Sequence, residues 1–336
     1  MSAPHPQTGA VPSAPGGGVI THGLSKRFGD LWALRDLHLD VAPGTVLGLL
    51  GHNGAGKTTA IRILTTLAQP TEGSATVAGF DVVTHPEAVR EQIGVASQTA
   101  TVDDLMTARL NLEVIGRLRG LTKSTATQRA DELLAQLDLT DFATTLVRTY
   151  SGGMRRRLDL AASLMGDPTV LFLDEPTTGL DPLSRGHLWD MLGELVRGGT
   201  TVLLTTQYLE EADRMADDIV VLDHGRTVAH GTPTALKARI GGNRLDVTLT
   251  PADDLDAAAG VVGPFVDRAP AIDHELRVLT LPIREGVRSI EVLRALDDAG
   301  IDAIDVTRRE VTLDDVFLTL TGTKPEPEAE PESGEA

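Results

Sequence analysis

The chain predicts an α/β fold with a mostly parallel sheet, followed by a smaller α+β domain, and three observations carry this. A glycine-rich loop joins an apolar run to a helical pattern, a second apolar run ends in paired carboxylates, and composition shifts near Gly241-Gly242. The 336 residues suffice for one good-sized core and a small second domain.

The first element is Val46-Leu47-Gly48-Leu49-Leu50, an apolar run that reads as a buried strand. Gly51-His52-Asn53-Gly54-Ala55-Gly56-Lys57-Thr58 follows, and Ile61, Leu64 and Leu67 then recur at helical spacing up to Pro70. Gly-x-x-x-x-Gly-Lys-Thr in a strand–loop–helix setting is the P-loop. Its glycines let backbone N–H groups curl around phosphate oxygens, and the helix N-terminus adds positive potential. Residues Gly51 to Thr59 are therefore the expected nucleotide loop. Lys57 is expected to reach the β- and γ-phosphates of ATP, and Thr58 to ligate Mg²⁺. The second element, Val170-Leu171-Phe172-Leu173, ends in Asp174-Glu175-Pro176. Carboxylates at the end of a buried strand stand over the crevice of a parallel sheet. Asp174 is expected to hold Mg²⁺, directly or through water, and Glu175 to orient and polarise the attacking water.

Composition excludes several classes. The apolar content of 41% is ordinary, and no apolar run approaches the roughly eighteen residues of a membrane helix. The start, Met1-Ser2-Ala3-Pro4-His5-Pro6, lacks a basic n-region and an apolar h-region, so no secretory signal is expected. The absence of cysteine excludes disulfides and thiolate metal sites and fits a reducing cytoplasm. A net charge of −18 argues against nucleic acid as the main partner. Residues 1–18, rich in Pro, Gly, Ala and Ser, and the acidic Pro/Glu tail 323–336 are expected to be disordered.

The segment Tyr150-Ser151-Gly152-Gly153-Met154-Arg155-Arg156-Arg157 leads into a helix with Leu158, Ala161, Ala162 and Met165 on one stripe. It resembles the Leu-Ser-Gly-Gly-Gln signature of ATP-binding-cassette (ABC) ATPases. Physically it is a second anion cradle at a helix N-terminus. The resemblance covers residues 19 to about 235. It implies a RecA-like mixed-sheet core with a helical subdomain at about 98–165, inside an ATP-binding domain of residues 19–240. It also implies that Ser151, Gly152 and Gly153 contact the γ-phosphate held by the P-loop of a second copy, so that ATP is sandwiched in a head-to-tail homodimer. Phe28 matches the aromatic that stacks on adenine, and Gln98 the glutamine that senses Mg²⁺ and the attacking water. Gly179-Leu180-Asp181-Pro182 matches the D-loop, and Thr205 to Asp213 the switch region.

Three departures stand out. Tyr150 and Met154 replace Leu and Gln, leaving the Ser-Gly-Gly core. Phe28 replaces the commoner Tyr, and since stacking discriminates bases poorly, GTP is expected to substitute for ATP. Gln207 stands where most of the family has His; it can hydrogen-bond a phosphate but cannot become cationic. With Glu175, Lys57 and Ser151 present, a competent ATPase is expected.

Thr107–Arg119 carries Leu110, Val114 and Leu118 at helical spacing, and Gln128–Leu137 carries Leu133, Leu134 and Leu137. Their apolar faces suit both core packing and, by the resemblance, a groove for a permease helix. Residues 241–322 read β-α-β-β-α-β, with strands at Leu245–Leu249, around Phe265-Val266, at Leu276–Ile283 and at Ile301–Val306, which is the ferredoxin-like order. The ending Leu313-Asp314-Asp315-Val316-Phe317-Leu318 resembles that of daunorubicin/doxorubicin-resistance ABC ATPases. This implies a drug-export ATPase, a translocase, peripheral on the cytoplasmic face of the cell membrane and working with a separate permease in two copies. An exporter of lipid, glycan or peptide is the alternative, then a soluble ABC ATPase of DNA repair or translation.

Overall fold

The computed structural model describes residues 18–97, 101–206, 208–240, 244–250, 254–284 and 286–321. They form two compact units, one running to Thr232 and the other spanning Pro233–Lys324.

The first unit begins with a hairpin, β1 (Val19–Phe28) and β2 (Leu31–Val41), turned at Gly29 with φ +57°. After β3 (Val46–Leu50) and α1 (Lys57–Leu64) come β4 (Glu72–Val77) and β5 (Phe80–Asp81), giving an antiparallel sheet of order β2-β1-β4-β5. Helix α1 is shorter than its apolar spacing predicts. Thr65 Oγ1 donates to the Ile61 carbonyl at 2.8 Å and Thr66 turns left-handed at φ +64°, so Leu67 is left exposed.

Next come α2 (Pro86–Gln92), β6 (Ile93–Ala96), α3 (Ala108–Leu118), α4 (Lys123–Gln136), α5 (Gly152–Leu164), β7 (Val170–Asp174), α6 (Pro182–Arg197), β8 (Thr201–Thr206), α7 (Leu209–Met215), β9 (Asp218–Asp223) and β10 (Arg226–Gly231). The main sheet has the order β10-β9-β3-β8-β7-β6, with only β10 antiparallel to its neighbour. Both faces of its central strands are covered, which is why they are continuously apolar rather than alternating. Leu171, Leu173, Val202 and Leu204 join the core shared with α3, α4 and α5. Phe172, Leu203, Leu47 and Leu49 join the other core, built with α1 and the antiparallel sheet.

Thr107, Thr122, Ser151 and Asp181 cap α3, α4, α5 and α6, each accepting a main-chain N–H in the first turn. Helix α3 buries Ala108, Leu112 and Gly116, so that the expected stripe of Leu110, Val114 and Leu118 faces outward. In α4 the expected Leu133 and Leu134 are buried.

In the second unit, α8 (Pro233–Ile240) precedes β11 (Arg244–Leu249), α9 (Asp254–Val262), β12 (Ala271–Asp273), β13 (Val278–Pro282), α10 (Ser289–Asp298), β14 (Ala303–Arg309) and α11 (Leu313–Thr321). The sheet order β12-β13-β11-β14, all antiparallel, is that of the split β-α-β ferredoxin-like arrangement. Phe265-Val266 is not the expected second strand. Pro264 starts a 3-10 turn over Gly263–Phe265, Val266 makes a single bridge to Ile283, and β12 lies further on.

Candidate functional site

Parallel register brings three strand ends into one row. Leu50 of β3 pairs with Thr206 of β8, and Thr205 of β8 pairs with Asp174 of β7. The loop after β3 and the carboxylates after β7 therefore meet at the carboxyl edge of the sheet, with the end of β8 between them. The loop curls where only glycine fits. A Cβ on Gly51 would lie 2.5 Å from the Leu222 carbonyl oxygen, and one on Gly56 (φ +109°) 2.6 Å from that of Ala33. The result is a cavity of about 310 Å³ lined by His52 through Thr59, Ala33 and Glu175.

Lys57 is 4% exposed; its Nζ donates to the Gly51 carbonyl at 2.5 Å and to that of His52 at 3.3 Å, and lies 3.8 Å from Glu175 Oε1. Thr58 Oγ1 is 3.3 Å from Asp174 Oδ2, and Thr205 Oγ1 donates to Asp174 Oδ1 at 2.5 Å. Glu175 has φ +49°, a conformation held by its N–H, which donates to the Thr205 carbonyl and hydroxyl, both at 3.1 Å.

Several partners were not singled out by the sequence. Arg156 Nε donates to the Pro176 carbonyl at 2.7 Å, Nη1 to that of Ser97 at 2.7 Å, and Nη2 to those of Asp174 at 3.2 Å and Glu175 at 3.0 Å. It was visible only as one of three consecutive arginines. Glu211 is buried and accepts from the Thr206 hydroxyl at 2.7 Å and from that of Thr177, tying the end of β8 to the segment after Glu175. Asp159, whose carboxyl is pushed up by burial, accepts the Thr101 N–H at 2.8 Å. Gln98 and Gln207 lie outside the described residues. The neighbours of Gln98 at Ser97 and Thr101 are both held by α5, through Arg156 and Asp159.

The structure does not bring every expected residue to the P-loop cavity. Phe28, 55% exposed, is not among its lining residues and has Lys26 Nζ 5.1 Å from its ring centre. Ser151, Gly152 and Gly153 are not among them either. Gly152 lines a second cavity, of about 260 Å³, with Arg155, Asp159, Thr178 and Glu175.

A P-loop facing strand-end carboxylates across a parallel sheet defines a P-loop nucleoside triphosphatase. Residues 34–178 match the model of the ABC transporter family. The chain is 53% identical to the daunorubicin resistance ATP-binding protein DrrA3 of Streptomyces coeruleorubidus, over 90% of this chain and 96% of that protein. It is 45% identical to the doxorubicin resistance ATP-binding protein DrrA of Mycobacterium tuberculosis, over 90% and 93% of the two. A solved ATP-binding subunit of an ABC transporter superposes with a TM-score of 0.61 at 28% identity, covering 67% of this chain and 93% of that one. The chain belongs to the ABC transporter family, among its ATP-hydrolysing subunits. No helix among the described residues is long and apolar enough to cross a membrane.

Proposed function

We propose that this chain powers export of a hydrophobic, anthracycline-like drug through a separately encoded permease. The observation that carries the reading is the meeting of Lys57, Thr58, Asp174 and Glu175 at one sheet edge, in a chain 53% identical to a daunorubicin-resistance ATP-binding protein.

The nucleotide enters the loop Gly51–Thr59, and Lys57 exchanges the carbonyls of Gly51 and His52 for phosphate oxygens. The hydroxyl of Thr58 and the carboxylate of Asp174 are hard oxygen donors at contact distance, a set that fits Mg²⁺, with Gln98 completing it. When bound, that ion neutralises charge on the phosphates. Glu175 orients and polarises the attacking water, and Gln207 gives the γ-phosphate a neutral hydrogen bond. Phe28 stacks on the base, which leaves room for GTP. A second copy supplies Ser151, Gly152 and Gly153, consistent with their absence from the cavity of their own chain. ATP closes the pair, closure reshapes the permease, and hydrolysis reopens it.

On this reading the chain is peripheral on the cytoplasmic face of the membrane, two ATPases serving two permease subunits. The helical subdomain, about 98–165, meets the permease, and residues 241–322 are an accessory domain. Co-purification with the permease encoded beside it, followed by hydrolysis measurements across anthracyclines, lipids, glycans and peptides, tests this. Stimulation by daunorubicin or doxorubicin, lost in Lys57→Ala, is expected. Stimulation by a lipid or glycan alone contradicts the drug assignment.

A further inference from the structure

Asp223 and His224 stand outside the machinery assigned above. They open the turn between β9 and β10, where His224 (φ +45°) and Gly225 (φ +76°) are both left-handed, as in the tightest hairpins. This turn is already fastened to the P-loop and to β2. The Gly225 N–H donates to the Ala55 carbonyl at 2.9 Å, and its carbonyl accepts from the Arg35 N–H at 2.7 Å. Beside these bonds, His52 Nε2 lies 2.9 Å and His224 Nε2 3.8 Å from the same oxygen, Asp223 Oδ1. The two imidazole rings are 5.3 Å apart at 63°. One ligand atom from each of the three residues falls within 4.8 Å of the other two.

His52 supplies the decisive detail. Its Nδ1 is 2.7 Å from the Asn53 carbonyl oxygen while its Nε2 faces the Asp223 carboxylate. Both partners are acceptors, and a neutral imidazole has one N–H to give. With its N–H on Nδ1, the ring turns the Nε2 lone pair toward the Asp223 carboxylate oxygen, and a metal ion between the two would satisfy both. Donation from the other nitrogen to a backbone carbonyl is how metal-bound histidines are oriented. A metal ion also accounts for a second imidazole at the same oxygen.

We propose that His52, Asp223 and His224 form a site for a divalent transition metal, with Zn²⁺ the best fit. Two imidazoles and a carboxylate are a three-ligand set for zinc, leaving a fourth position for water. Zinc-bonding distances of about 2.0–2.2 Å require His224 to turn toward the other two, and at 84% exposed its side chain has room to do so. The bound metal staples the β9–β10 turn to the nucleotide loop.

The test uses the full chain, stripped with a chelator and titrated with ZnCl₂ without nucleotide by calorimetry, with Co²⁺ absorption as a second readout. One zinc per chain is expected, with a rise in melting temperature. His224→Asn keeps a residue that tolerates the left-handed turn and should weaken zinc binding by about tenfold or more. After zinc is stripped, the chelator removed and Mg²⁺ restored, its hydrolysis rate should match that of the unsubstituted chain treated in the same way. His230→Asn, which breaks the His230–Asp218 pair (2.5 Å) at the other end of the hairpin, should leave zinc affinity unchanged. Equal zinc affinity in His224→Asn, or no binding below millimolar zinc, overturns the proposal.

Discussion

Arg156 gathers four main-chain carbonyls, those of Ser97, Asp174, Glu175 and Pro176, under one guanidinium. Replacing it by Met removes these four hydrogen bonds from a cation, each worth about 1.5–3 kcal/mol for a charged donor. Arg156→Met is therefore expected to lower stability by at least that amount in denaturant unfolding and to slow hydrolysis, because the left-handed backbone of Glu175 loses a support. Undiminished turnover would show that the clamp is not needed. Glu175→Gln keeps the size and loses the base, so hydrolysis should fall by about 10²–10⁴-fold while nucleotide binding persists in equilibrium titration. Equal loss of binding and turnover would assign Glu175 to the ground state instead. Lys57, Thr58, Asp174 and Glu175 were legible in the sequence because their roles follow from short spacing next to a strand. Arg156 and Glu211 were not, because their partners are carbonyls and hydroxyls from distant segments that only the strand order brings together.

Helix α3 shows how a helical pattern can be read from the sequence while leaving open which of its faces is buried. Its apolar residues fall on two faces, and the face with Ala108, Leu112 and Gly116 is the buried one; a Cβ on Gly116 would lie 2.7 Å from Met165 Cε. Leu118, 82% exposed, can be changed with little effect on stability. If this face receives the permease, Leu118→Glu should leave the free protein's melting and hydrolysis unchanged and abolish drug-stimulated hydrolysis in the complex. Helix α11 offers the opposite case. Thr312 and Asp315 form a capping box, Thr312 N–H donating to Asp315 Oδ2 at 2.9 Å, and Leu313, Val316 and Phe317 are buried. The ending that identifies a subfamily by its letters thus also closes the second unit. Burial pushes the Asp315 carboxyl up, but hydrogen bonds from Arg309 and Thr312 and the charges of Arg309 and Arg244 outweigh it and hold the carboxyl below its usual range. A depressed carboxyl stabilises the fold above the unfolded value, about 3.9, and loses that contribution as pH falls through the folded value. Acid unfolding of the second unit, followed by circular dichroism, should therefore begin below about pH 4. Asp315→Asn should cost about 3–5 kcal/mol at neutral pH by leaving buried Arg244 without its carboxylate, while Arg309 keeps Asp246. A loss below about 1 kcal/mol would mean that water already screens the pair.

At the scale of the whole molecule, the proposed function gives each chain two unlike half-sites. The Lys57 loop opens into one cavity, and Ser151, Gly152 and Gly153 are not among its lining residues. On that proposal a chain needs a second copy to complete either half. The fold class, both strand-end motifs and the β-α-β-β-α-β order of the second unit were legible because each is local in sequence. The pairing of copies is not local, and it entered only through the resemblance of Ser151-Gly152-Gly153 to a signature read in trans. Mixing two inactive variants tests it directly. Lys57→Ala has no working loop and Ser151→Arg has no working cradle, and each alone should fail to hydrolyse ATP. In an equal mixture half the dimers are mixed, and each of these holds one intact site, so hydrolysis should return to about a quarter of the unsubstituted rate if the sites act independently. Activity that stays absent in the mixture at any ratio would contradict a triphosphate shared between two copies.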